Sequence, residues 1–391
     1  MLPKKHTPRF TGEVRFSTHL LEREFAGFAV SGSLEVLDIR STDGLNEVIQ
    51  SWEALVVRRP MRSPAWLLGW WEQFGGDSKE LLVLLVRDQG ELIGIAPLYV
   101  DRVGSKQVVR LLGSGVVCTD HTTWFSKLGS EERVGRAVAN YFTDSAGWNR
   151  LQLECVGVDD PAINGTLCQF GSQRFLAHRK SSVNCWKIRL PDTWDQYLEM
   201  LSKSHRKRCR RLIRAYFDTG RAVVHEATAD NFEDVWRLFR NLHAMRWGNE
   251  RRPDGSFADR RFLRFHEELS RELFRRNQLR LCYLSCDEQP VAAEYQFVDH
   301  DTLYAYQSGM DPRAGDCQPG NLSLIATIQY CIVHGLKSMD LLRGDEPYKA
   351  HWRGEPSARH DLRVWPNGVL AKFELGLLGV QQLAADWMKR K

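Results

Sequence analysis

The stretch Tyr304–Gly335, YAYQSGMDPRAGDCQPGNLSLIATIQYCIVHG, decides how the rest of the chain is read. A strand at Thr302–Gln307 runs into a glycine-containing loop. That loop feeds a helix predicted over Pro319–His334, and a strand at Ser338–Leu342 follows. Pro319 suits a first helical position because its missing amide hydrogen would be unpaired there anyway. Gly320 has no side chain to block an approaching ligand, so the free amides of Gly320, Asn321 and Leu322 are available to an anion. The alternative is an ordinary proline-initiated helix. The next stretch, MDLLRGDEPYKAHW (Met339–Trp352), crowds Arg343, Asp345, Glu346, Tyr348, Lys349 and His351 at a strand's carboxyl end. Sites collect there in open α/β sheets; a charged loop of satisfied surface pairs is the competing explanation.

Working outward, the same plan occurs twice. Strands are predicted at Glu35–Ile39, Leu81–Val86, Leu92–Val100, Gln107–Leu112 and Arg150–Val156, with helices at Thr42–Val57, Pro64–Phe74 and Glu131–Ser145. A polar stretch at Asp159–Gly171 and a hairpin through Arg174–Arg189 close this half. The second half opens after Pro191 with a helix capped by Asp192 and ending at Gly220. Helices at Asn231–Trp247 and through Arg275 follow. Strands at Leu279–Ser285 and Val291–Val298 then precede the deciding stretch, with a strand at Arg359–Trp365 and a helix at Phe373–Met388 after it. Each half therefore reads as helices, a strand meander, a helix and a strand. That order predicts an α/β protein of two mixed sheets flanked by helices. The expected division is an arm over residues 1–33, a first domain over 34–190 and a second over 191–391.

Composition sets the class. The chain has 391 residues, 43% hydrophobic and 26% charged, with a net charge of +5. That length exceeds one ordinary core, and the charge is too weak to imply DNA. No window approaches the about 18 consecutive apolar residues that span a bilayer. The basic start lacks the apolar run of a secretory signal, so a cytoplasmic protein is expected. Nine cysteines without CxxC pairs suit neither a disulfide framework nor a metal site, and no metal is expected.

The order of SGMDP, QPG and LLRGDEPYKAHW resembles the cellulose-biosynthesis acetyltransferase family of the CelD/BcsL type. This is a branch of the GNAT superfamily, similar in layout to FemAB-like tandem transferases. RSPAWLLGWWEQFGG (Arg62–Gly76), ELIGIAPLYV (Glu91–Val100) and VVRLLGSG (Val108–Gly115), with Asp120 soon after, look like that family's first half. The resemblance implies a tandem GNAT-like fold and acetyl-CoA or another acyl-CoA as co-substrate. It further implies acyl transfer to an amine or hydroxyl of a small molecule or carbohydrate precursor, linked to cellulose or exopolysaccharide synthesis. Carried over by position, Tyr306, Gln307 and Ser308 flank pantetheine, while Gln318, Gly320, Asn321 and Leu322 meet the phosphates. The usual Gln/Arg-x-x-Gly-x-Gly/Ala loop is not spelled out, so this rests on layout. In the first half the corresponding helix starts with Glu131 and Glu132, which repel phosphates; that half reads as a degenerate partner domain.

Transfer from a thioester needs a base for the acceptor proton and is helped by an acid for the departing thiolate. Strand alternation in VAAEYQFV puts Glu294 and Gln296 on one face, and apolar neighbours favour a raised pKa for Glu294, the preferred base. A sheet-face carboxylate paired with a cation is its alternative. Tyr348 is the candidate acid or else a structural tyrosine; Asp345 and Glu346 are alternative bases. Gln296, Arg343, Lys349 and Asp120 are candidate acceptor contacts, with His121 beside Asp120. The basic stripe Lys203, Arg206, Lys207, Arg210 and Arg214 is either a solvated face or a seat for an anionic partner, weak membrane contact among the options. Trp66, Trp70 and Trp71, on an apolar helix, read as core rather than a sugar platform. Two rivals stand beside acyl transfer: a FemAB-like aminoacyl transferase using aminoacyl-tRNA, and a non-catalytic partner of a polysaccharide machine. RNA is disfavoured because no basic helical hairpin is evident in the second half.

Overall fold

Alternating apolar residues build two sheets in the computed structural model, which describes residues 34–57 and 59–389. The expected arm over residues 1–33 lies outside the described residues. Along the chain come β1 (Glu35–Ile39), β2 (Lys79–Asp88), β3 (Glu91–Val103), β4 (Lys106–Leu111), β5 (Phe125–Ser126), β6 (Arg150–Gly157) and β7 (Phe175–Ser181). Then follow β8 (Cys185–Arg189), β9 (Ala222–Glu226), β10 (Leu279–Cys286), β11 (Gln289–Val298), β12 (Thr302–Met310), β13 (Ser338–Arg343), β14 (Glu355–Ser357) and β15 (Arg359–Pro366). The first sheet has the order β1-β2-β3-β4-β6-β15-β7, with β5 on β3; the second has β14-β8-β13-β12-β11-β10-β9. Each sheet contains one parallel pair, β4 with β6 and β12 with β13. A helix crosses over between the members of each pair, Glu131–Asp144 in the first and Pro319–Val333 in the second, as parallel pairing requires.

The sheets do not divide at residue 190. β8 pairs with β13 and β14 in the second sheet, and β15 pairs with β6 and β7 in the first. The hairpin expected through Arg174–Arg189 therefore does not form, because its two strands join different sheets. The polar stretch after Asp159 is a helix, Pro161–Arg174, whose cap Asp160 accepts from the amides of Ala162 and Ile163 at 3.1 and 3.0 Å. The helix expected from Asp192 to Gly220 is broken. Thr193, not Asp192, caps Trp194–Met200 through a reciprocal box with Gln196, and Ser202 caps a second helix, Lys203–Leu212, that continues as a π-turn to Phe217. A serine poised to cap competes with helix continuation, which decides that break. The helix expected over Thr42–Val57 is likewise interrupted, by a 3₁₀ turn at Asn46–Val48.

The two halves share one aromatic core. Trp66, fully buried, packs edge-on against Phe265, Phe297 and Tyr306 from the second half at 5.4, 5.1 and 5.5 Å. Trp70 is buried and Trp71 packs against the same cluster, so the three tryptophans are core. A hydrogen-bonded relay crosses the seam. Tyr295 donates to Nδ1 of the buried His266 (3.2 Å), His266 Nε2 donates to Tyr306 (3.1 Å), and Tyr306 donates to the Val117 carbonyl (2.7 Å). Burial drives the His266 pKa down to about 3, which keeps the ring neutral, as one donor and one acceptor demand. Among the described residues no helix is long and apolar enough to cross a membrane. The nine cysteines are all free thiols, only Cys118 and Cys168 being exposed.

Candidate active site

β12 and β13 pair at only three positions, ending at Tyr304 and Asp340. Beyond them the two strands no longer pair with each other, while β12 stays on β11 to Met310 and β13 on β8 to Arg343. Leu342 takes a left-handed φ of 56° at a register shift against β8, costly for a residue with a Cβ. Two groups hold this kink. Asp340 accepts the Leu342 amide at 2.9 Å, and the buried Lys349 donates to the carbonyls of Leu342, Arg343 and Gly344 at 3.2, 2.9 and 3.0 Å. On β12 a bulge leaves Tyr306 out of register, since Tyr295 faces Gln307 while Gln296 faces Ala305. The wedge between the strands is a cavity of about 490 Å³.

Its walls gather most of the expected residues. Glu294 and Gln296 come from β11, Tyr306, Gln307 and Ser308 from β12, Gln318, Gly320 and Asn321 from the crossover helix. Arg343, Glu346, Tyr348 and Lys349 follow β13. Burial raises the Glu294 pKa, and Ser323, Arg280, Arg246 and Gln296 only partly offset it. Ser323 donates to one carboxylate oxygen and Gln296 to the other at 3.3 Å. Gln296 itself is fully buried in the cavity wall and accepts from Arg280 at 2.7 Å, so its amide is engaged in orienting Glu294. Tyr348 is 40% exposed on the facing wall. Burial, with Glu346 and Glu294 nearby, pushes its phenol up to about 12. The pair is thus a carboxylate that holds a proton more readily than usual and a phenol that keeps one.

Along β12 the side chains are already engaged. Tyr306 sits in the shared core, Gln307 meets His243 at 3.2 Å, Arg246 donates to the Ser308 hydroxyl at 2.6 Å, and Trp247 donates to the Ser308 carbonyl at 3.0 Å. At the helix start the expectation needs correction. The amides of Asn321 and Leu322 donate to the Gln318 carbonyl at 2.9 and 3.2 Å, and Leu322 is fully buried; neither amide is free for an anion. Gly320 stays open, since an added Cβ would meet only the tip of Met310, at 3.4 Å. A second cavity of about 460 Å³ shares Asn321, Tyr348 and Trp352 with the first and adds Arg208, Arg353, His205 and His351. Arg208 donates twice to the Gln318 side chain, at 3.0 and 2.6 Å. This cationic annex supplies the positive charge that the helix amides do not.

Five expected site residues have other work. Asp345 lies off the cavity, accepting from Asn184 at 2.8 Å and Trp186 at 3.0 Å; these donors lower its pKa, which unsuits it as a base. Asp120 is buried and binds the Arg343 side chain and amide at 2.5 and 3.0 Å, tying the first half to the second. That leaves Arg343 little freedom for an acceptor. Lys349 spends its three hydrogens on carbonyls and also pairs with Glu346 at 3.0 Å. His121 is taken up by Arg359 and Asp340. Sequence reading missed Arg246, Trp247 and Ser323, which line the cavity. The first two close a helix, where a cation suits the dipole, but no spacing ties them to β12.

In the first half the crossover helix packs more closely on its surroundings. A Cβ on Gly94 of β3 would lie 2.4 Å from Val134, and one on Gly135 would lie 2.0 Å from the Ala162 carbonyl oxygen. The crossover helix there presses directly on its sheet and on the helix Pro161–Arg174.

A mixed sheet whose parallel strands part over a helix start, repeated in tandem, defines the GNAT acyltransferase class of fold. Residues 203–350 match the family model described as an acetyltransferase (GNAT) domain. No curated protein matches the chain. Among solved structures the chain is similar to FemX, at 11% identity with a TM-score of 0.57, covering 83% of this chain and 96% of that one. It is also similar to the C-terminal domain (DUF2156) of a putative lysylphosphatidylglycerol synthetase from Agrobacterium fabrum, at 10% identity and TM-score 0.51, covering 86% and 96%. A protein of unknown function from Bacteroides thetaiotaomicron gives 11% and 0.51, covering 85% and 100%. These likenesses establish fold. The chain carries a GNAT acetyltransferase domain, a class that uses acyl-CoA as co-substrate.

Proposed function

We propose that this chain moves an acetyl or similar short acyl group from acyl-CoA to an amine or hydroxyl of a small molecule or carbohydrate precursor. The observation that carries the reading is the open wedge itself, with Glu294 on one wall and Tyr348 on the other. The cavity suits the co-substrate in shape and charge. It offers an edge of β12 that no longer pairs with β13, an unobstructed Gly320 and an adjoining pocket with Arg208 and Arg353. Bound acyl-CoA supplies an activated thioester. Glu294, held by Ser323 and Gln296, takes the acceptor's proton, its raised pKa making it a better base than an ordinary carboxylate. Tyr348 keeps its proton at neutral pH and gives it to the departing sulfur. Arg208, Arg353 and the Gly320 amide hold the phosphates. A cytoplasmic setting accords with the free thiols. The link to cellulose or exopolysaccharide synthesis rests on the likeness of the RGDEPYK string and its neighbours.

A second reading, aminoacyl transfer from aminoacyl-tRNA, draws on the fold shared with FemX and on the exposed side chains Lys203, Lys207, Arg210, Arg211 and Arg214. None of these five has a carboxylate partner among the described residues. Two assays on one preparation separate the readings. Acetyl-CoA is expected to raise the melting temperature saturably, and a screen of amines and alcohols is expected to release CoA thiol. Binding of charged tRNA without an acetyl-CoA shift would reverse the preference.

A further inference from the structure

Two thiols from different sheets meet at the seam between the halves. Cys155 belongs to β6 of the first sheet and Cys185 to β8 of the second, and both are buried. Their Sγ atoms and a carboxylate oxygen of Asp120 all lie within 4.8 Å of one another. The register of β6 against β15 shifts between His360 and Leu362, and Cys155 takes a left-handed φ of 54° at that bulge. Residues with a Cβ seldom adopt that conformation, and the Asp361 carboxylate holds it by accepting the Cys155 amide at 3.0 Å. Cys185 faces Arg343 in the pairing of β8 with β13. The Cys155 thiol donates at 3.8 Å to Asp120, the same carboxylate that binds Arg343. Contact with Cys185, together with Arg343 and Arg359, holds the Cys155 thiol below its usual pKa against burial and Asp120. The same contact and burial push Cys185 up. A readier thiolate thus lies beside a thiol that keeps its proton. Another pair in contact, Cys286 and Cys317, is less favoured, because burial, Cys286 and Asp287 push the Cys317 thiol up to about 12.

We propose that Cys155 and Cys185 are a redox modification site, which hydrogen peroxide converts to a reversible disulfide bridging the two sheets. The Cys155 thiolate attacks one peroxide oxygen and the O–O bond breaks. The departing hydroxide takes up the proton that Cys155 released and becomes water, leaving Cys155 as a sulfenic acid. The Cys185 sulfur then attacks the Cys155 sulfur, the S–S bond forms, and the sulfenic hydroxyl leaves with the Cys185 proton as a second water. The two sulfurs lose two electrons in all, and peroxide gains them. The guanidiniums of Arg343 and Arg359 that favour a thiolate also repel a metal cation, which sets the pair apart from a metal site. The bridge spans the seam beside the Asp120–Arg343 pair, and Arg343 lines the acyl cavity. Oxidation therefore braces the two halves next to that cavity. The assignment does not depend on the acyl-transfer reading.

The test uses the full chain, treated with a small molar excess of hydrogen peroxide, alkylated in denaturant and mapped without reduction by mass spectrometry. The expected product is a bridged Cys155–Cys185 peptide pair, formed ahead of any Cys286–Cys317 pair and undone by dithiothreitol. Peroxide is expected to raise the melting temperature by a few degrees, because the bridge constrains the unfolded chain. That rise should be absent in Cys155→Ala and in Cys185→Ala. Mapping of the parent chain decides the matter if either variant does not fold. The proposal is overturned if Cys155 and Cys185 stay free while the exposed Cys118 and Cys168 are oxidised, or if another pair bridges first. A bridged chain that melts no higher than the reduced one would also overturn it. So would saturable zinc binding that both alanine variants lose, which would make the pair metal ligands.

Discussion

Replacing Glu294 by glutamine keeps the side chain's size and removes its basicity. The Ser323 hydroxyl can still donate to the amide oxygen; only the contact from Gln296 must rearrange, a loss of about 1 kcal/mol. Against that loss stands a gain. Glu294 has a folded-state pKa raised by burial above the ordinary 4.5. Between the unfolded and folded values the native state binds more protons, so stability falls as pH rises through that window and stays lower above it. Removing the carboxylate lifts this cost at neutral pH, and Glu294→Gln is therefore expected to unfold within about 1 kcal/mol of the parent in urea. Turnover is expected to fall by about two to four powers of ten, equivalent to about 3–5 kcal/mol of barrier. Acetyl-CoA binding should survive. Because the base works deprotonated, the parent's rate should climb with pH through the Glu294 pKa, and that acidic limb should vanish in the variant. Near-normal turnover with the limb intact would refute the assignment and move attention to Glu346. Loss of folding would make Glu294 a structural partner of Ser323 and Arg280.

Further outcomes follow from the same geometry. Gly320→Glu should abolish the acetyl-CoA thermal shift, whereas Gly320→Ala should keep it, because a Cβ there meets only the Met310 tip; equal binding by both would remove the helix start from the site. Tyr348→Phe should lower kcat by about 10²-fold with little change in acetyl-CoA affinity, measured by single-turnover thiol release. Asp120→Ala, which strands the half-buried Arg343 cation, should cost up to about 3 kcal/mol in urea unfolding, since Asp120 is buried and ties the two halves. A fragment ending near residue 190 should give no cooperative thermal transition by circular dichroism. It lacks β15 and strips Trp66 of Phe265, Phe297 and Tyr306.

Local chemistry alone determined much of this protein. Proline at a first helical position, alternating valines and leucines, and glycine after a helix act over a few residues. Pro64–Phe74, the start of Pro319–Val333 and the strands β10 to β13 could accordingly be read close to their true bounds. The position of the site beside Glu294 and Tyr348 could be read from element order, because sites in open α/β sheets collect at the strands' carboxyl ends. Other features depended on partners distant in the chain. Asp120 is 223 residues from Arg343, and no spacing announces that the two neutralise each other. Lys349 read as a candidate acceptor contact, whereas the left-handed turn at Leu342 presents it with three carbonyls. β8 and β15 could be seen as strands, but which sheet each joins depends on hydrogen-bonding edges made by segments far away. Side-chain identity sets what a residue is able to do, and tertiary packing, by choosing which polar groups are left without partners, decides which of them remain free to do it.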